Sequence, residues 1–282
     1  AAAPRRFIAL VVSQPDKPAG RGGQLSAPAV KTAALELGLP ILAVPTTYAG
    51  SEVSPIWGLT EDGVKRTGRD PRVLPRTVIY DPDLSLTLPP GLTVTSALNA
   101  IAHAAEALYA HDGNPVSALM AEEGIRACAA ALAPLRRNPV DPDARAELLY
   151  GAWLCGTMLG AVSMGLHHKL CHTLGGSFGL PHAEVHTVLL PHALAYNAPQ
   201  ASAALSRIAR ALAADDAALA LQQLAAQHSA PTSLRALGMP EAGLDRAADL
   251  AVANPYPNPR PLERAALRAL LQRAWDGAPP QP

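Results

Sequence analysis

Six of the nine histidines of this 282-residue chain fall between His167 and His192, in the run LHHKLCHTLGGSFGLPHAEVHTVLLPH. His168 and His172 are four residues apart, as are His182 and His186, so each pair shares one face of a helical turn. Gly175, Gly176, Gly179 and Pro181 lie between the pairs and predict helix, turn, helix. Imidazoles gathered by such a turn can ligate a metal, pass protons or hold an oxyanion. Upstream, Asn99, His103 and Glu106 stand at i, i+4 and i+7 of one predicted helix. A carboxamide and an imidazole on that face could meet the His168/His182 group across a helix bundle. Taken alone, His103 has a plainer reading, a core histidine bonded to a backbone carbonyl. HAEVH (182–186) places its acidic residue, Glu184, third rather than second, so the general-base geometry of the zinc-protease motif HExxH is not reproduced.

A second set of residues suits a nucleotide. PTTYAGSE (45–52) ends a predicted strand with the hydroxyls of Thr46, Thr47 and Ser51, and free amides at the carboxyl end of a parallel strand can hold phosphates. Read alone, it is also a Thr/Ser-rich turn. GRGGQLS (20–26) carries Gly22 and Gly23 but matches neither GxGxxG nor GK[ST].

These residues need elements to position them, and the two halves of the chain differ. FIALVVS (7–13), PILAVPTT (40–47) and RTVIYDP (76–82) read as strands, 14–28 as a Gly/Pro-rich loop, and 29–39 as a helix stopped by Gly38. From Thr93 onward the pattern is helical: 93–110, 117–135, a long apolar helix over 143–166, and alanine-rich amphipathic helices from 200. The expected fold is therefore a partial α/β, Rossmann-like N-terminal domain (1–92) followed by an all-α domain (93–282), with the seam near 88–93. Apolar residues make up 49% and charged residues 16%, as in an ordered globular protein. Lys plus Arg equals Asp plus Glu at 23 each, so no basic excess argues for nucleic acid. Cys128, Cys155 and Cys171 have no CxxC spacing, so neither a disulfide framework nor a zinc knuckle is indicated, and a reducing cytoplasm is the simplest home. Arg5-Arg6 before FIALVV imitates a signal peptide, but the apolar run is too short. Leu148 to His168 carries no formal charge and has the length of a bilayer span. Its glycines and terminal histidines read instead as a buried helix, so no membrane is expected.

Four long blocks resemble the maleylacetate reductase family, within the iron-containing alcohol dehydrogenase superfamily: 38–82, LNAIAHAAEALYA (98–110), 165–197 and 253–275. The resemblance implies the superfamily's dehydroquinate synthase-like build, a nucleotide-binding α/β domain and a helical domain with the active site between them. It implies NADH or NADPH as cofactor, a small oxo-enoic dicarboxylate as substrate, reduced in aromatic-compound degradation, and a homodimer. Carried over, the superfamily's metal site would fall on Asn99, His103, His168 and His182. His172 would face the nicotinamide, and Thr46 and Thr47 would lie along the cofactor.

Two departures shape the expectations. Metal-binding members have aspartate where this chain has Asn99, so three imidazoles would lose their only anionic partner, and catalysis is expected to work without bound metal. Residues 7–40 resemble a stretch of methionyl-tRNA formyltransferase, with QPDKPAGRG followed by LSAPAVK, and the phosphate loop would fall on Gly22, Gly23, Gln24 and Leu25. The chain thus reads as a fusion joined at 38–40, with weakened dinucleotide binding. The alternative to an active reductase is an impaired remnant that keeps the helical domain, and a formyltransferase fragment is a third reading.

Overall fold

A computed structural model of the chain describes residues 17–19, 24–26, 40–61, 64–253 and 256–282. Over 14–28 the expected loop is corrected. β1 (Lys17–Ala19) and β2 (Gln24–Ser26) form an antiparallel ribbon with Lys17 opposite Ser26. Strands of three residues are too short to raise an alternating signal above surrounding glycine and proline. β3 (Leu42–Ala43) pairs in parallel with β6 (Thr77–Val78), so the strands expected in 40–47 and 76–82 meet in a short ladder. Their crossover contains an antiparallel hairpin, β4 (Ile56–Glu61) and β5 (Val64–Arg69), that the sequence reading passed over. The expected strand 7–13 and helix 29–39, with Gly22 and Gly23, lie outside the described residues.

The helices begin where prolines and caps place them. α1 (Pro90–Ala107), α2 (Pro115–Arg137) and α3 (Pro142–Ala161) each start on proline, whose missing N–H costs nothing in a first turn. Asn114 accepts from the amides of Val116 and Ser117 in a capping box, and Asp141 accepts from that of Ala144. α1 is buried almost throughout, from Thr93 to Ala107. Its alanines let α2, α3 and α5 (His182–Asn197) approach closely around it. A second core joins α4 (Leu166–Phe178) and α5 to α8 (Leu244–Ala253) and α9 (Arg264–Asp276) through Leu166, Leu170, Leu189, Leu267 and Leu271. α6 (Ser202–Ala211) and α7 (Ala217–Gln227) lie between them in sequence.

The long helix expected over 143–166 is corrected to two. α3 ends at Ala161, α4 begins at Leu166, and their axes bend by 92°. The cause is tertiary. Asp112, beyond the end of α1, accepts from the Ser163 amide at 3.0 Å and its hydroxyl at 2.8 Å, which fixes the chain in the break. No single helix among the described residues is long and apolar enough to cross a membrane.

Two contacts fasten the segment after β3 to the helices. Arg145 is 1% exposed and has no carboxylate partner among its hydrogen bonds. Its guanidinium donates to Pro139 O, Leu88 O, Tyr48 Oη and Thr93 Oγ1. Such full pairing is what makes a buried cation tolerable. Gly50, at φ 77°, lies against Gly156 of α3 so closely that a Cβ on Gly156 would overlap the Gly50 carbonyl. Gly156→Ala is therefore expected to destabilise by about 1–3 kcal/mol by overpacking. Gly175→Ala, also mid-helix but with only Leu180 O at 3.8 Å, is expected to be neutral or stabilising. Urea unfolding of the pair checks this, and equal midpoints for the two variants would contradict the close approach.

Candidate active site

α1, α4 and α5 bring together the imidazoles that the sequence singles out. His103 stacks on His168 with ring centroids 4.9 Å apart. His168 and His172 are 6.3 Å apart, and His172 stacks on His182 at 6.3 Å. The bend at 162–165 and the turn at Gly179–Pro181 fold α4 back against α5, so residues far apart in sequence share one cluster. The cluster runs inward from the exposed His182 and half-buried His172 to the buried His168 and His103. Asn99 sits one turn before His103 on α1, 5% exposed, with no hydrogen-bond partner for Oδ1.

Two rings belong to the cluster without having been assigned to it. His186 is fully buried and lies 4.3 Å from His182, 4.8 Å from His167 and 5.1 Å from His168. His167, also fully buried, places Nε2 3.2 Å from His186 O and 3.4 Å from Cys171 Sγ. The spacing of His186 from His182 was the available signal. For His167 there was none, because a helical residue adjacent to His168 points about 100° away from it.

Behind the rings lies Glu106, 0% exposed. One carboxylate oxygen accepts from His168 Nδ1 at 2.7 Å and from the Gly165 amide at 2.9 Å; the other accepts from the His167 amide at 2.8 Å and from the Tyr109 hydroxyl at 3.4 Å. These amides open α4, whose N-cap, Gly165, has no side chain of its own to cap with. A Cβ there would stand 3.2 Å from Glu106 Oε1, so glycine leaves room for a carboxylate reaching in from α1. The partial positive charge of a helix N-terminus suits that anion.

The nucleotide candidates are placed less tightly. Thr46 and Thr47 are half-buried just past the carboxyl end of β3, and Ser51 is exposed at the start of a short 3-10 turn. The carboxyl end of a parallel pair is where open α/β sheets take nucleotides, so the two threonines fit such a ligand.

Burial sets the electrostatics. Desolvation pushes the pKa of His167 and of His168 down to about 3 and that of His192 to about 4, and it holds His103 and His186 well below the ordinary value. Neighbouring imidazoles add to the depression, since a proton on one disfavours a proton on the next. Burial raises the Glu106 pKa, opposed by the His167 imidazole and by the amides of Gly165 and His167.

Two family models match the chain: "Iron-containing alcohol dehydrogenase" over residues 7–82 and "Fe-containing alcohol dehydrogenase family, C-terminal" over 93–275. The chain belongs to the iron-containing alcohol dehydrogenase family. It is an oxidoreductase. It is 69% identical to a maleylacetate reductase of Burkholderia cepacia over 89% of this chain and 71% of that one. Among solved structures, one described as a putative alcohol dehydrogenase of Ralstonia eutropha superposes with a TM-score of 0.87 at 66% identity, covering 89% of this chain and 72% of that one. The maleylacetate reductase of a Rhizobium species does so at 0.85 and 56%, covering 89% and 71%. The first family match reaches back to residue 7, so the stretch 7–39 is accounted for within the family and the formyltransferase resemblance is unsupported. The remnant reading is likewise not favoured.

The family is named for iron, and the residues fit a cation. Asn99 Oδ1, His103 Nδ1 and His168 Nε2 are buried atoms without hydrogen-bond partners. The imidazoles are neutral, the form that coordinates. Two buried groups, Glu106–His167–His168 and His167–Cys171–His186, already hold donor atoms within 4.8 Å of one another. The expectation of metal-free catalysis, drawn from Asn99, is not supported by the family name.

The depressed histidines make a pH prediction. Each is neutral in the fold but protonates on unfolding below about pH 6.5, so between about 3 and 6.5 the unfolded chain binds more protons. Their stabilisation is fully present above that window and is lost as pH falls through it, by about 1.4 kcal/mol per pH unit for each histidine. Glu106, shifted upward, works in the opposite sense as one group against several. The melting temperature should fall steeply between pH 6.5 and 5; a value unchanged down to pH 4.5 would contradict the neutral cluster.

Proposed function

We propose that this chain reduces maleylacetate to 3-oxoadipate with NADH or NADPH, a step in the breakdown of aromatic compounds. The observation that carries this reading is the 69% identity to a maleylacetate reductase over 250 residues. The two-part division 1–92 and 93–282, a cytoplasmic location and a homodimer belong to the same proposal, with no nucleic-acid or membrane partner.

Maleylacetate is a conjugated enone flanked by carboxylates. Its reduction needs hydride on the alkene carbon β to the ketone, a place for negative charge on the ketone oxygen, and a proton on the α carbon. When bound, the reduced nicotinamide supplies the hydride. His172 and His182 stand at the open end of the cluster, where their ring N–H groups can donate to the developing enolate oxygen, a role of oxyanion-hole type. His103 and His168 close the inner end and keep water out. Asn99, His103, His168 and His182 would hold a cation, which supplies Lewis-acid polarisation of that oxygen. With Asn99 neutral, such a cation would be bound weakly.

Oxidation of NADH or NADPH that depends on maleylacetate is the expected result, with His172→Ala lowering kcat by about a hundredfold. Elemental analysis after dialysis is expected to find little metal in the wild-type chain and close to one equivalent in Asn99→Asp. Absence of maleylacetate-dependent oxidation with either cofactor overturns the function, and stoichiometric wild-type metal overturns the weak-site reading.

A further inference from the structure

Among the groups at the site, Glu106 has no part in the reaction as written, yet it makes a short polar contact in the cluster, 2.7 Å to His168 Nδ1. A neutral imidazole has one N–H and one lone pair, and the partner of one nitrogen decides the state of the other. The amides of Gly165 and His167 can only donate, so both carboxylate oxygens are committed to accepting. The N-terminus of α4 favours the anion further. On the other side of the ring, His168 Nε2 is buried and has no hydrogen-bond partner.

We propose that Glu106 is a positioning residue, which holds the His168 ring in the tautomer protonated on Nδ1 so that Nε2 presents its lone pair to the cluster. The proposal deepens the reductase reading and rests on it for its kinetic consequence. It divides labour among the imidazoles: His168 is an acceptor, for a cation or for a neighbouring N–H, and the enolate oxygen takes its hydrogen bonds from His172 and His182. The structural alternative is that Glu106 only caps α4. Capping accounts for the two amide bonds but leaves the bond to a ring that points into the cluster without a purpose. The same carboxylate does both, so the start of α4 and the aim of the ring are set together.

The test reads the tautomer directly. The full chain is labelled with 15N-histidine and its rings are observed by two-bond 1H–15N correlation at pH 7.5, with His168 assigned from the signal missing in His168→Asn. Wild type is expected to show His168 protonated on Nδ1. Glu106→Gln, whose amide can donate to Nδ1, is expected to move it to the Nε2–H form. In the same variant kcat is expected to fall about 10- to 100-fold, with KM for maleylacetate within about twofold. Glu106→Asp keeps the carboxylate and is expected to retain the wild-type tautomer. His168 protonated on Nε2 in the wild type, or unchanged in Glu106→Gln, overturns the proposal. If Glu106→Gln does not fold, the spectra of the wild type and Glu106→Asp decide alone. Because the tautomer is read without turnover, a chain that leaves maleylacetate untouched defeats the function and not the assignment of Glu106.

Discussion

A carboxylate with no exposure, Glu106, is the interaction on which the site depends. Taking an anion out of water costs several kcal/mol unless hydrogen bonds replace the hydration. Here two backbone amides, one imidazole and the start of α4 do so. The chain can therefore leave α3 at Ala161, turn through 92° and begin α4 with its first amides satisfied. That turn carries His168 from the end of an apolar helix to the side of His103, and it lets α4 and α5 close over a core of imidazoles.

The cluster itself is a dielectric device. Rings about 5 Å apart, shielded from water, suppress one another's protonation, so the inner histidines remain neutral through the physiological range. Neutral rings can coordinate a cation or donate one hydrogen bond each. The outward ones, His172 and His182, remain near the surface, where a ligand can reach them.

Much of this was legible in the sequence. The four-residue histidine spacings and the glycines and proline between them gave helix, turn, helix, and the Asn99–His103–Glu106 register gave the facing helix. The strands at 40–47 and 76–82 were also readable, though only two residues of each pair. What was not readable depends on partners distant in the chain. The break after Ala161 needs Asp112 and Glu106, more than fifty positions upstream, so hydrophobic periodicity ran straight through it. Glu106 was placed on the correct face but without a role, because the role is defined by amides of another helix. The formyltransferase resemblance rested on a loop rich in Gly and Pro, a composition many turns share, whereas the family match extends over the whole of 7–82.

Under the proposed function, the imidazole cluster serves reduction of a conjugated double bond rather than of the ketone itself. The most direct measurement is the position of the label when maleylacetate is reduced with NADH or NADPH carrying two deuterium atoms at C4 of the nicotinamide. The expected product is 3-oxoadipate with its ketone intact and deuterium on the former alkene carbon next to the carboxylate. Deuterium on a new carbinol carbon would contradict it, because the ring donors would then be acting on a ketone reduced to an alcohol.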